Sequence, residues 1–238
     1  MTQAKVIDLL NSRRVSGSIS EAEGLEAAWW TAVPDPTDKL SIYGAKYWLP
    51  YPTSTTAGFY VGLPTGFSDV GGLNPNTYER WRPWGAVYAS VDENDLLKKM
   101  AQGQKRTGFM APRDLEEFKR GVGGQLQIWT NEVTATAFEA ELRARNDNHS
   151  RLNEFAGATA FGRTPIGYAP KLDEETRNPV YWADMDYLWF ASRTDGGLGE
   201  LPPLRKVDQP LVWVVHNFGQ GNSICSMRRR QQVYALAA

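Results

Sequence analysis

The chain is 238 residues long and carries 26 Lys and Arg against 27 Asp and Glu, a formal charge of −1. That balance argues against a protein whose main work is gripping a polyphosphate backbone, so any basic patch must be local. With 42% hydrophobic and 22% charged residues the sequence reads as neither disordered nor a fibrous repeat, and its length suits one large domain or two small ones. The single cysteine, Cys225, excludes an internal disulfide framework, and two histidines leave no Cys/His cluster for zinc. The N-terminal stretch "MTQAKVIDLLNSRR" has no apolar run suited to a signal peptide. Nor does any span approach the ~18 apolar residues of a membrane helix, which points to an intracellular or particle-borne product with no membrane partner. Nine Trp, ten Tyr and nine Phe raise the odds of a binding surface, because large aromatics dominate interface energetics.

Residues 3–30 read as helical, with Val6, Ile7, Leu9 and Leu10 early and Leu25, Ala28 and Trp29 late. "SGS" at 16–18 is a weak spot, and the Ser18 to Glu21 spacing suggests a capping box that restarts or kinks the helix. From Val33 to Tyr88 proline and glycine punctuate short aromatic runs, which fits extended segments and turns ordered against something else, a neighbouring subunit included. Ser90 and Glu93 form a capping box ahead of "DLLKKMAQGQKR", whose Leu96, Leu97, Met100 and Ala101 share one face, and Gly108 closes that helix. "PRDLEEFKR" (112–120) suggests a short helix, and "GGQLQIWT" alternates as a strand. Residues 131–146 make an amphipathic helix with Phe138 and Leu142 one turn apart, and with Glu139–Arg143 and Glu141–Arg145 as surface pairs. Segments 165–172, 179–190, 209–218 and 223–236 read as extended, with "GQGN" as the turn between the last two. Helices and strands mix without a regular βαβ alternation, so the expected class is α+β.

Signatures of catalysis are sparse. The sequence has no G-x-S-x-G elbow, no H-E-x-x-H and no P-loop, and "GVGGQL" places Leu126 where a dinucleotide fingerprint needs glycine. His216 reads as a satisfied, half-buried imidazole in an alternating strand, with proton transfer as the sharper reading, and His149 as a helix-end dipole partner. Asp184 and Asp186 share one face of an extended segment, the arrangement that paired carboxylates need for acid/base or metal work, against the plainer reading of a solvated edge. Together with the tryptophans they support an alternative function, a carbohydrate-binding or glycoside-processing module.

The cluster "YERWRPWGAVY" admits core, sugar platform or an interface anchored by Trp81 and Trp84 with Arg80 and Arg82. Near the end, "CSMRRRQQV" sets three arginines inside an expected strand. Strand period puts Arg228 and Arg230 on one face and Arg229 on the other with Cys225, Met227 and Val233. Three arginines make ion pairs between strands or subunits a better reading than a nucleic-acid groove.

In order along the chain, "IYGAKYWLP", "GFSDVGG", "YERWRPWGAVY", "DLLKKM", "TGFMAP", "LRARNDNHSRL", "TPIGYAPKLDEETRNPVYWADMD" and "GNSICSMRRRQQV" resemble tailed-bacteriophage major capsid proteins of the Hong Kong 97-type fold, over residues 25–236. The resemblance implies a spine helix, a peripheral sheet and an axial domain. Mapped on this chain, residues 1–110 hold the end of the spine helix and the peripheral-type region, 111–204 the axial-type region, and 205–238 the strands returning to the sheet. It implies a structural subunit, not an enzyme, with no cofactor and no metal, self-assembling as pentamers and hexamers into an icosahedral shell around double-stranded DNA. Scaffolding and portal proteins, and packaged DNA held non-specifically on the inner surface, are the implied partners, in a virion capsid assembled in the bacterial host cytoplasm. Trp81, Trp84, Arg80, Arg82, Arg228, Arg229 and Arg230, singled out above by residue type, are the candidate subunit interface. Capsid proteins of this kind carry an N-terminal arm and an extended loop before the spine helix. The chain is expected to lack both, as a fragment, a truncated prophage remnant, or a protein whose 33–88 region takes over the lapping contacts.

Overall fold

The computed structural model describes residues 3–31, 33–38, 40–107, 126–145, 159–161, 164–192, 198–202, 204–206 and 208–237. Residues up to 145 hold helix α1 (Gln3–Thr31), a single turn α2 (Ala45–Trp48), strands β1 (Gly58–Phe59) and β2 (Trp84–Tyr88), helix α3 (Leu96–Thr107), β3 (Leu126–Thr130) and helix α4 (Glu132–Arg145). Beyond residue 145 come strands β4 (Ala160–Phe161), β5 (Thr164–Tyr168), β6 (Val180–Asp184), β7 (Leu188–Ser192), β8 (Leu198–Glu200), β9 (Leu204–Lys206), β10 (Gln209–Val214), β11 (Asn217–Gly219), β12 (Gly221–Cys225) and β13 (Gln232–Leu236). Short 3-10 turns occupy Glu79–Trp81, Pro170–Glu174 and Arg228–Arg230.

Seven strands form one mixed sheet in the order β1-β2-β13-β6-β3-β5-β4. The C-terminal strand β13 lies inside it, parallel to β2 and antiparallel to β6. Strands from residues 1–110, 111–204 and 205–238 therefore meet in one sheet. Alternation of side chains sends Val180 and Trp182 of β6 to one face and Tyr181 and Ala183 to the other, and both faces are covered. On the first face α3 and α4 bury Leu96, Met100 and Phe138 against Trp84, Tyr88, Ile128 and Tyr234. On the second, the end of α1, α2 and the Pro/Gly-rich segment bury Trp30, Tyr47, Trp48, Leu49 and Val70 against Tyr181, Ala183 and Val233. The segment expected to lie against something is thus ordered against the chain's own sheet.

Several local expectations change. Helix α1 is continuous through Ser16–Ser18: Ser18 Oγ donates back to the Arg14 carbonyl one turn earlier (3.1 Å), so its side chain satisfies helix backbone instead of capping a restart. Ahead of α3 the capping is done by Asp92, whose carboxylate accepts the N–H groups of Asn94 (2.9 Å) and Asp95 (2.8 Å), with Asp95 in turn accepting those of Ala89 and Ser90. Leu96 and Met100 are buried as their spacing predicts. Helix α4 is capped by Asn131, whose Oδ1 accepts the Thr134 N–H at 3.1 Å, and Glu139–Arg143 pair at 3.3 Å. "GQGN" is not a hairpin turn, because β11 pairs with β8 and β12 with β7. The segment 179–190 breaks at a turn between β6 and β7, and the expected strand 165–172 ends at Tyr168, its last three residues lying in the 3-10 turn Pro170–Glu174. The expected helix at 112–120, the Gly108 closure and His149 lie outside the described residues.

Gly103 sets how closely α3 approaches the sheet. A Cβ there would meet Tyr234 Oη and Gln232 Oε1 well inside contact distance, and Trp84 Cδ1 at 2.9 Å. In an exposed helix interior Gly→Ala stabilises by about 1 kcal/mol. Here overpacking opposes that gain, so Gly103→Ala is expected to destabilise by about 1–3 kcal/mol. A urea midpoint for the variant at or above that of the parent chain would contradict this packing.

Candidate functional site

The three arginines do not extend a strand. Residues 228–230 form a 3-10 turn between β12 and β13, and the turn aims each guanidinium in a different direction. Arg228 is fully buried. Its Nε donates to the Trp48 carbonyl (2.5 Å), Nη1 to that of Val61 (3.4 Å) and Nη2 to that of Gly62. Gly62 has φ +54, and a Cβ on it would lie 2.7 Å from Arg228 Nη2, so glycine is required both for the left-handed turn and for the room. Burial lowers the Arg228 pKa to about 10, which still leaves the group charged at neutral pH. Arg229 lies over the Phe59 ring, 3.9 Å from its centroid, and ties the turn to β1. Arg230 donates from Nε to Asp184 Oδ2 (2.7 Å) and covers the Tyr187 ring at 5.0 Å.

The expected sharing of a face by Arg228 and Arg230 is therefore corrected, and among the described residues the ion-pair reading is realised by Arg230 alone, within the chain. Asp184 closes the same corner. Its main-chain N–H donates to Gln231 Oε1 (2.8 Å) and its carbonyl accepts from Gln231 Nε2 (3.0 Å), so an amide side chain continues the ladder between β6 and β13. Asp184 Oδ1 accepts the Asp186 N–H at 3.2 Å, while the Asp186 residue itself is exposed in the β6–β7 turn. One carboxylate is buried against an arginine and the other faces solvent. The paired-carboxylate arrangement expected of a glycosidase is absent from these two residues, and the carbohydrate reading loses that part of its support.

In the aromatic cluster the core reading accounts for both tryptophans. Trp84 is 6% exposed, edge-on to Phe59, and half-buried Trp81 donates from Nε1 to the Val70 carbonyl at 2.8 Å. Arg82 donates to the carbonyls of Pro75 (2.8 Å) and Asn76 (3.3 Å) and pairs with Glu79. Of the seven residues singled out from the sequence, Arg228 and Trp84 are thus held inside the subunit, and Arg80 is exposed. His216 is exposed in the link between β10 and β11, not half-buried in a strand. Burial pushes the Cys225 thiol up to about 12, so it is an inert core group. Among the described residues no three His, Cys, Asp or Glu side chains are placed to hold a metal ion, and no helix is long and apolar enough to cross a membrane.

Sequence reasoning missed a cleft of about 570 Å³ beside the arginine turn. Its floor is Tyr43, Tyr47, Trp48 and Phe67, and its rim Pro36, Ser68, Asp69, Gly71, Gly72 and Asn222. The Tyr43 and Tyr47 rings are 4.4 Å apart, and Phe67 meets Tyr47 edge-on at 5.1 Å. The Gly-rich "GFSDVGG" was the available signal, since it supplies one whole wall.

The fold is shared with a chain of the cyanophage A-1(L) capsid asymmetric unit, with a TM-score of 0.54, covering 93% of this chain and 69% of that one at 16% sequence identity. No family model matches the sequence, and no curated protein matches it. The α+β class and the phage capsid fold expected from the ordered motifs are those of the structure.

Two measurements bear on this corner. Arg228→Met orphans three main-chain carbonyls that no substitution can remove, and is expected to cost about 3 kcal/mol or more, against about 1 or less for Arg229→Met. Tryptophan-fluorescence unfolding of the two variants side by side checks the order. Burial raises the Asp184 carboxyl above its ordinary 3.8 against the opposing pull of Arg230. The stability this group contributes is then full below that ordinary value and is lost as pH rises through the raised one. The stability of the parent chain minus that of Asp184→Asn is expected to fall as pH rises across that range; a difference that climbs with pH would reverse the sign.

Proposed function

We propose that the chain is a structural subunit of a bacteriophage capsid, self-associating into the capsomers of an icosahedral shell of Hong Kong 97 type that encloses double-stranded DNA. The observation that carries the reading is a fold shared over 93% of the chain with a chain of a phage capsid asymmetric unit. In this reading α1 is the end of the spine helix, and the seven-stranded sheet draws β1 and β2 from 1–110, β3 to β6 from 111–204 and β13 from 205–238. The division at residues 110 and 204 is kept as part of the proposal, and the return of β13 to the sheet supports its last portion. The role is structural and not enzymatic, the location is the virion, assembled in the host cytoplasm, and scaffolding and portal proteins are further partners.

Burial within one subunit redirects the search for the contact surface. Trp189 and Ile224 face each other across the β7–β12 ribbon and are 38% and 42% exposed, with Met227 at 40%. On α1, Val15 and Ile19 lie one turn apart and are exposed. Scattered exposed apolar residues are ordinary, but cross-strand and one-turn neighbours make patches, which mark interaction surfaces. Together with Arg80 and Arg229 these patches are the proposed subunit contacts, in assemblies whose interfaces bury on the order of 2,000 Å² or more.

Sedimentation and negative-stain microscopy of the expressed chain test the proposal. Rings or closed particles are expected, and Trp189→Asp combined with Ile224→Asp is expected to leave monomers with an unchanged unfolding midpoint. A compact monomer at every concentration, with or without scaffolding protein from the same phage, would count decisively against a shell subunit.

A further inference from the structure

We infer that the cleft between the 35–38 loop and the 66–72 loop is a docking site for a basic segment of another polypeptide, with an arginine or lysine side chain against the partly exposed Tyr43 and Phe67 rings and its charge against Asp69. The inference stands on the cleft alone and does not depend on the capsid reading.

Its volume, about 570 Å³, falls within the range of roughly 300–1,000 Å³ typical of binding pockets and is several side chains large. The aromatic floor is fixed before any ligand arrives. Tyr47 Oη accepts the Gly71 N–H at 3.0 Å, Trp48 Nε1 donates to Ser223 Oγ at 2.6 Å, and the main-chain N–H of Tyr43 donates to Asn222 Oδ1 at 2.8 Å. Rings held this way keep their negative faces in place, the feature that attracts a cation.

Charge selects the occupant. Asp69 takes only weak neutral donors, Ser68 Oγ and the Gly72 N–H, each at 3.2 Å. Asp35 and Asp38 flank Pro36 on the opposite loop, held by hydrogen bonds from Thr37 and from Leu40 and Ser41. None of the three is in an ion pair with a described residue, and no lysine or arginine lines the cleft. One rim carboxylate, Asp69, above an aromatic floor is complementary to a side chain that is both cationic and able to lie flat, which describes arginine first and lysine second. Three glycines and a proline in the walls leave main chain accessible along the opening, so an extended segment suits the cleft better than a lone cation.

The test uses the whole chain and fluorescein-labelled pentapeptides. Gly-Arg-Pro-Arg-Gly is expected to give saturable anisotropy that weakens as salt is raised, whereas Gly-Leu-Pro-Leu-Gly and Gly-Glu-Pro-Glu-Gly give none. Asp69→Asn keeps an acceptor for the Gly72 N–H while removing the charge, and is expected to weaken the arginine peptide about tenfold. Ser68→Arg, which supplies a cation in place, is expected to abolish binding. Equal binding of all three peptides, no binding of the arginine peptide, or indifference to both substitutions would overturn the proposal. So would saturable binding of cellobiose quenching the cleft tryptophan without any peptide response, which would reassign the aromatic floor to sugar.

Discussion

A buried guanidinium organises this fold. Residues 49–62 follow a single helical turn and contain almost no regular structure, so their carbonyls need donors from elsewhere. Arg228 supplies three at once from one planar fork, to residues 166 to 180 positions away in sequence. Taking a cation out of water is costly, and among the described residues no carboxylate pairs with it. The cost is offset because each carbonyl would otherwise be an unsatisfied acceptor in the core. The constraint is mutual: the loop is held only when the C-terminal turn is in place, and β13 enters the sheet only from that turn.

The sheet inherits this dependence. Its strand order puts β13 between β2 and β6, so the part of the sheet built on β1 and β2 has no hydrogen-bonded link to the part built on β6 and β3 until the last strand arrives. Pairings so distant in sequence charge loop-closure entropy before they return packing energy, which makes for slow, late completion of the core. Gln231 and Asp184 secure the junction through two reciprocal bonds, and Arg230 and Arg229 then fix the turn to β6 and β1 respectively. Three adjacent arginines serve three different partners because a 3-10 turn rotates successive side chains by about 120°, where a strand would have offered two faces.

What the sequence disclosed followed its periodicities. Leu96 and Met100, Phe138, and the alternation through Leu126–Thr130 and Val180–Asp184 carry local signals strong enough to place α3, α4, β3 and β6. The arginine turn was unreadable because nothing local distinguishes it: the residues that make Arg228 necessary are a glycine and two carbonyls in a distant loop. The same holds for Asp184, whose spacing from Asp186 suggested a shared face while the turn at Asp184–Tyr187 sends one inward and one out. The aromatic load was legible as a quantity and not as a location. Trp30, Trp48, Trp84 and Trp182 are core, and Trp189 is the one exposed residue among the tryptophans whose burial is described, so the count alone did not separate core from surface.

The first helix is the part of the described chain with the least packing of its own. Over residues 12–24 of α1 almost every residue is exposed, and burial begins only with the last two turns, where Trp30 meets Tyr181 and Trp129 at ring distances of 5.5 and 6.0 Å. A helix gains little from intrinsic propensity in water, and most of its stability comes from packing one face. A serine-glycine-serine run at its centre makes the exposed part weaker still. Within the chain the described support for that part is the Arg14–Glu200 pair with β8, and a solvent-exposed, screened pair of this kind contributes little. The stretch therefore costs conformational entropy that the subunit barely offsets, and a neighbour laid along Val15 and Ile19 would supply the missing apolar contact, as the proposed shell requires.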